Sequence, residues 1–137
     1  MDDLILPDVP DVPDEGLPIG EAAAACGLSV DTVRYYERAG LTLTRTPRSS
    51  SGQRRYGTRD LAWLSGLVML RGTGMPIADI RRYAALAREE GTEKERLSLL
   101  EEHRNKVVHE MEQTRRHLAA IDRKIEAYRR TAGTQKA

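Results

Sequence analysis

The rhythm of apolar and polar positions changes along this chain, and each change marks an element. Ile19 to Cys26 is a run of small, mostly apolar residues. Ala22 to Ala25 have high helix propensity, and side chains small enough to let another helix approach closely. Gly27-Leu28-Ser29 interrupts the run as a turn. Ser29 is a good N-cap for the next helix, and Asp31 falls in its first turn, where the helix dipole favours an acid. That second helix is predicted from about Val30 to Ala39, with Gly40 placed to end it at C′. Leu28, Val33 and Tyr36 can point inward, which leaves Asp31, Thr32, Arg34, Tyr35 and Arg38 on other faces.

Period two follows. Leu41 to Arg45 alternates apolar with polar or basic residues, a short strand pattern. Thr46 to Gly52 is rich in Pro, Ser and Gly and carries Arg48, and Gln53 to Tyr56 can return as the second strand of a hairpin. Helical spacing then resumes. Thr58 is expected to cap a helix with Asp60 in its first turn and a stripe of Leu61, Leu64, Leu67 and Val68. Trp63, beside the stripe, reads as a packing anchor between wing and helix. Gly72-Thr73-Gly74 stops that helix. Pro76 is expected at N1 of the next, where its missing N–H costs nothing. Ile77, Ile80, Tyr83, Ala84 and Ala87 give this fourth helix one apolar face. Gly91 ends it, and Thr92-Glu93-Lys94-Glu95 has the form of a capping box.

From there the steps alternate three and four without a break: Leu97, Leu100, Arg104, Val107, Met111, Thr114, Leu118, Ile121, Ile125 and Tyr128, eight of the ten apolar. A sustained 3.5-residue period is the mark of a coiled coil. At ~1.5 Å per residue the seam is roughly 45 Å long. A lone helix with such a stripe is marginal in water, so it calls for a partner helix. Arg104 and Thr114 cost stability on the seam and can fix register.

The expected fold is therefore mainly α: a winged helix-turn-helix head with a short β-hairpin wing, a helix pair, and a long C-terminal coiled-coil dimerisation helix. The expected boundaries are a disordered acidic tail over 1–16, a head over 17–90, a dimerisation helix over 92–130 and a disordered tail over 131–137. Composition agrees with long solvated helices, since charged residues are 31% and aromatics 4% of the 137 residues, with no Phe. The tail reading rests on PDVPDVPDEG, with prolines every third residue and no apolar face. Residues 1–16 hold a charge of −6, which leaves +7 on the rest of a chain whose formal net charge is +1. A basic body suits an anionic partner. The acidic tail is either a passive solubilising segment or a competitor with DNA for the basic surface. With one cysteine, Cys26, there is no internal disulfide and no multi-cysteine metal site. No apolar run approaches the ~20 residues of a membrane span, and the acidic N-terminus is unlike a signal peptide. The expected location is the cytoplasm, with no membrane partner.

Helix, short turn, helix is the DNA-reading unit whose second helix enters the major groove. Ser29, Asp31 and Thr32, at the start of that helix, are placed to face base edges. Arg34 and Tyr35 are assigned to the phosphate backbone, with Arg48, Arg54, Arg55 and Tyr56 at the wing. Guanidinium groups on phosphates supply affinity and register, not sequence reading. Arg81 and Arg82 are either solvated surface charges or, as the family resemblance set out below implies, further contacts to the backbone. No catalytic constellation, P-loop or GxGxxG is present, so an enzyme is not expected, and no cofactor. His103, His109 and His117 lack the i, i+4 spacing of a helical metal pair. Leu97, Leu100, Val107, Met111, Leu118, Ile121, Ile125 and Tyr128 are the expected dimerisation residues. Two other classes compete: an architectural or excisionase-like DNA-binding protein with the same head, and a coiled-coil module whose head binds protein.

The sequence resembles the MerR family of bacterial transcriptional regulators. The matching pieces are Ile19-Gly20-Glu21, Gly27-Leu28-Ser29, Thr32 to Glu37, Gly40-Leu41, Gln53-Arg54-Arg55-Tyr56, Asp60-Leu61 and Gly74 to Ile80. The resemblance implies an antiparallel homodimeric coiled coil, although the residues alone leave parallel pairing open. It also implies binding to double-stranded promoter DNA at a pseudo-palindrome, contact with RNA polymerase at the promoter, and distortion of a promoter whose spacer is overlong. Best-known members sense metals or oxidants through cysteines near the dimer helix, and residues 57–137 contain none. The nine residues past Tyr128 are too few for a separate drug-binding domain. No small-molecule effector is identified.

Overall fold

The computed structural model describes residues 12–43 and 55–134. Five helices follow in order: α1 Ile19–Ala25, α2 Val30–Arg38, α3 Thr58–Gly72, α4 Ile77–Ala87 and α5 Glu93–Thr134. Residues 44–54, the predicted tip and part of each predicted strand of the wing, lie outside the described residues. So do residues 1–11 of the acidic tail and 135–137 at the other end.

Three helices end in one way. Gly27, Gly40 and Gly74 stand at C′ with φ of +70°, +77° and +86°. After each glycine an apolar residue bonds back into the last turn: Leu28 N–H to Ala23 O at 2.9 Å, Leu41 N–H to Tyr36 O at 3.0 Å and Met75 N–H to Leu70 O at 3.1 Å. This is the Schellman arrangement, which satisfies end carbonyls and turns the chain sharply. Its apolar follower is drawn into the core: Leu41 and Met75 are fully buried. The turns are thus set by a Gly followed at once by Leu or Met.

The starts differ by a residue from expectation. Gly57, not Thr58, is the N-cap of α3, and its N–H donates to the Asp60 carboxylate at 3.0 Å. Pro76 is the N-cap of α4, with extended ψ of 148°, so Ile77 is the first helical residue. Both fall within the usual uncertainty of helix ends. Thr92 precedes α5, but its hydroxyl reaches back to the carbonyls of Leu86 at 2.5 Å and Glu89 at 3.1 Å, while Arg96 Nε donates to it at 3.2 Å. Thr92 therefore braces the corner between α4 and α5.

Two further corrections concern the expected tails. Residues 131–134, expected in a disordered tail, continue α5, where Thr131 Oγ1 donates to Ala127 O at 3.1 Å. Residues 13–16, expected in the acidic tail, form a turn closed by Gly16 N–H to Pro13 O at 2.8 Å. The next residue, Leu17, forms an antiparallel bridge with Tyr56. Gly16 is at φ +81°, and a Cβ there would come within 2.9 Å of Tyr56 O.

The chain divides into two units, residues 1–99 and 100–137. In the first, α1 packs with α2 and α3 with α4. The core comprises Ala22 and Ala23 of α1, Val33 and Tyr36 of α2, Leu61, Leu64 and Leu67 of α3, and Ile80 and Ala84 of α4. Val68, expected on the buried stripe, is exposed, and Leu70 is buried instead. The first turns of α3 lie against α1, where Cys26 Sγ donates to Leu61 O at 3.6 Å. Val68 has a similar angular position two turns later, past that contact. The second unit is the continuing α5 helix, ~1.5 Å per residue long, and its apolar stripe lies open in the single chain. Met111, Leu118, Ile121, Ile125 and Tyr128 are all more than 40% exposed. Leu97, in the first unit, is exposed as well, whereas Leu100 and Val107 are half-buried. No helix among the described residues is long and apolar enough to cross a membrane.

Candidate nucleic-acid interface

The predicted reading helix is built from its cap outward. Ser29 has the extended backbone of an N-cap, and its Oγ accepts from Thr32 N–H at 3.1 Å. The two hydroxyls, Ser29 Oγ and Thr32 Oγ1, lie 2.9 Å apart in a shared hydrogen bond. Asp31 is exposed in the first turn. One side of α2 is closed by Val33 and Tyr36, so the sequence leaves Asp31, Arg34, Tyr35 and Arg38 exposed. The Tyr35 ring is 47% exposed and sits 5.9 Å from that of Tyr36. An exposed aromatic beside an arginine on a short helix is a polar-tipped surface suited to a phosphate backbone. Ser29, with its oxygen already used in the cap, can offer DNA only a shared hydroxyl.

Of the wing residues, Arg48 and Arg54 lie outside the described residues. Arg55 is exposed, and its Nε donates to Glu15 O at 3.4 Å. Tyr56 does not join the exposed set. It is 2% exposed, paired with Leu17 through two backbone hydrogen bonds of 2.8 Å, and its hydroxyl donates to Glu37 of α2. Tyr56, expected among the DNA-contacting residues of the wing, is thus found buried in the head and not on its exposed surface. Successive residues of an extended strand face opposite ways, so Arg55 faces out and Tyr56 faces in. Tyr56 ties the chain returning from the wing to the second helix of the helix-turn-helix.

A second set of residues has a role that sequence reasoning assigned only in part: Trp63 was expected to pack, and Arg88 was missed. Arg81 was a candidate for the phosphate backbone, yet its Nε donates to Ala39 O at 2.8 Å. Arg88 Nη2 donates to Gly40 O at 2.8 Å and to Thr42 O at 2.6 Å. Trp63 Nε1 donates to Leu41 O at 2.7 Å, while its ring stacks on Tyr83 at 5.3 Å. The one signal for this set was the spacing of seven between Arg81 and Arg88, which puts both on one side of α4. Arg82 is exposed. Cys26 sits between α1 and α3, near Ser65 Oγ at 3.8 Å. Burial pushes its thiol pKa up, against a smaller opposite pull from the Ser65 hydrogen bond, so the thiolate is disfavoured. Reactive cysteines have the opposite environment.

The family described as MerR HTH family regulatory protein matches residues 17–87, which span α1 to α4. An HTH-type transcriptional regulator of Haemophilus influenzae is 36% identical over 80% of this chain and 82% of its own length. A mercuric resistance operon regulatory protein of Pseudomonas fluorescens is 37% identical over 70% of this chain, and the match spans 65% of that regulator, just under two thirds of it. Among solved structures, HiNmlR, a MerR family regulator lacking the sensor domain and bound to promoter DNA, superposes with a TM-score of 0.72. It is 35% identical over 83% of this chain and 90% of that one. Match, identity and shared architecture agree: this chain belongs to the MerR family of helix-turn-helix transcriptional regulators.

Proposed function

We propose that the protein acts as a homodimer that binds a pseudo-palindromic promoter operator in the cytoplasm and alters transcription by distorting the promoter DNA. The observation that carries this reading is the exposed row Asp31, Arg34, Tyr35 and Arg38 on a capped helix whose other side is buried. In the proposal α2 enters the major groove, with Thr32 and Asp31 near base edges and Ser29 at its cap. Arg34, Tyr35 and Arg55 hold phosphates, joined by Arg48 and Arg54 of the wing. The long exposed stripe of α5 supplies the two-fold axis, because two identical heads read two half-sites. Distorting DNA costs several kcal/mol, and contacts on both half-sites are what offset it. RNA polymerase at the promoter is the further partner. The relative crystallised on promoter DNA supports the same reading.

Salt dependence tests it. With Arg34, Arg48, Arg54 and Arg55 on each of two heads, about eight phosphates are neutralised, and log Kd against log salt should have a slope of magnitude about 7. Arg34→Ala should lower that magnitude by about 2, one unit per head, and weaken binding on specific and non-specific DNA alike. A slope near zero would move the head to protein recognition. A steep slope without any effect on a promoter run-off assay would favour an architectural role.

A further inference from the structure

The segment that leaves α2 is held by side chains from elsewhere. Its four successive carbonyls, those of Ala39, Gly40, Leu41 and Thr42, accept in turn from Arg81, Arg88, Trp63 and Arg88. The backbone N–H groups of Ala39, Gly40 and Leu41 already close the last turn of α2. These carbonyls point away from that closure. Thr42 is 7% exposed and Leu41 fully buried, so the second half of the segment has no open water to turn to. Buried carbonyls need partners, and here α3 and α4 provide them.

Arg88 holds two of the four. Its Nη2 spans Gly40 O and Thr42 O, and its Nε donates a second bond to Thr42 O at 3.0 Å. The rigid guanidinium fork fixes the distance between the end of α2 and the start of the chain leading to the wing. Arg88 is also the C-cap of α4. The corner that follows is braced by Thr92 on Leu86 and Glu89. One side chain therefore ties the segment leaving the reading helix to the C-terminal end of α4.

We infer that Arg88 is a positioning residue for operator recognition: it fixes the segment that leaves α2, and with it the seat of α2 in the head, without touching DNA. The inference rests on the DNA-binding reading above. It predicts a particular pattern of loss. Phosphate contacts tolerate small shifts, because they are long-range and non-specific. Base-edge contacts from α2 do not, because they need the helix held in a fixed seat.

The test uses the full-length protein and two duplexes of equal length: the promoter segment that the wild type protects, and a scrambled one. Arg88→Met should lose about tenfold or more on the promoter duplex, the equivalent of ~1.4 kcal/mol, and less than about threefold on the scrambled one. Arg88→Lys keeps the charge but not the fork. It should restore scrambled-duplex affinity fully and promoter affinity only in part. Urea unfolding followed by Trp63 fluorescence reports folding of the head in each variant. If Arg88→Met does not fold, the Lys variant decides alone, and full promoter preference in it overturns the inference. Equal losses on both duplexes also overturn it, as does wild-type promoter affinity in Arg88→Met. A wild type with no promoter preference removes the functional reading and the inference together.

Discussion

Ile121→Asp should convert the protein to a monomer and abolish operator binding at concentrations where the wild type is saturated. Ile121 is 53% exposed on α5, in the middle of a stripe that continues through Leu118, Ile125 and Tyr128. An aspartate on that seam would place a desolvated charge, with no partner, at the helix–helix contact. The helix itself should persist, since α5 carries its own ion pairs, such as Arg115 with Glu112 at 3.8 Å. What should be lost is the joining of two heads. Linking two binding modules raises apparent affinity by about 10²–10⁴ without any new contact, and the variant should lose a factor in that range. Sedimentation gives the mass and gel shift the affinity. A monomer that still binds at wild-type concentration would show that one head suffices.

The second large effect is expected at Tyr56. Tyr56→Ala removes a ring that is 2% exposed and should cost about 3–5 kcal/mol, as large aromatic truncations in cores do. Tyr56→Phe keeps the ring, loses the hydrogen bond to Glu37, and should cost about 1–3 kcal/mol. The single tryptophan, Trp63, lies beside Tyr56 around a small pocket shared with Thr42, Leu43, Asp60 and Leu64. Its fluorescence reports the unfolding of the head directly. An unchanged urea midpoint in both variants, together with weaker DNA binding, would return Tyr56 to the DNA-contacting surface.

Tyr56 also shows where the sequence misleads. The run Gln53-Arg54-Arg55-Tyr56 reads as one basic patch, in which neighbours in sequence would share a role. A strand separates them by face, so Arg55 and Tyr56 part company. The identity of the residue that pairs with Tyr56, Leu17, has no local signal at all. The reading helix was legible because its determinants are local: a Ser at the cap, an Asp in the first turn, a Gly at C′ and an apolar pair at 33 and 36. The α5 stripe was legible because its period repeats over many turns. Val68 was misplaced because α3 is buried on different sides along its length, and a helix of that kind has no single stripe. Arg88 was invisible for another reason. Its partners are backbone carbonyls more than forty residues away, and any sequence supplies a carbonyl at every position.

Distance in sequence also explains how one chain can join reading and pairing. The same α4 residues that hold the end of α2 precede the corner to α5.

The central claim is that two copies of this chain grip one promoter dyad and deform it. A footprint on the promoter DNA beside its own gene, read with a probe sensitive to base unstacking, tests that most directly. The account predicts protection over a dyad between the two polymerase elements, with hypersensitive bases at its centre. Uniform protection without hypersensitivity, or protection of a single half-site, would contradict it.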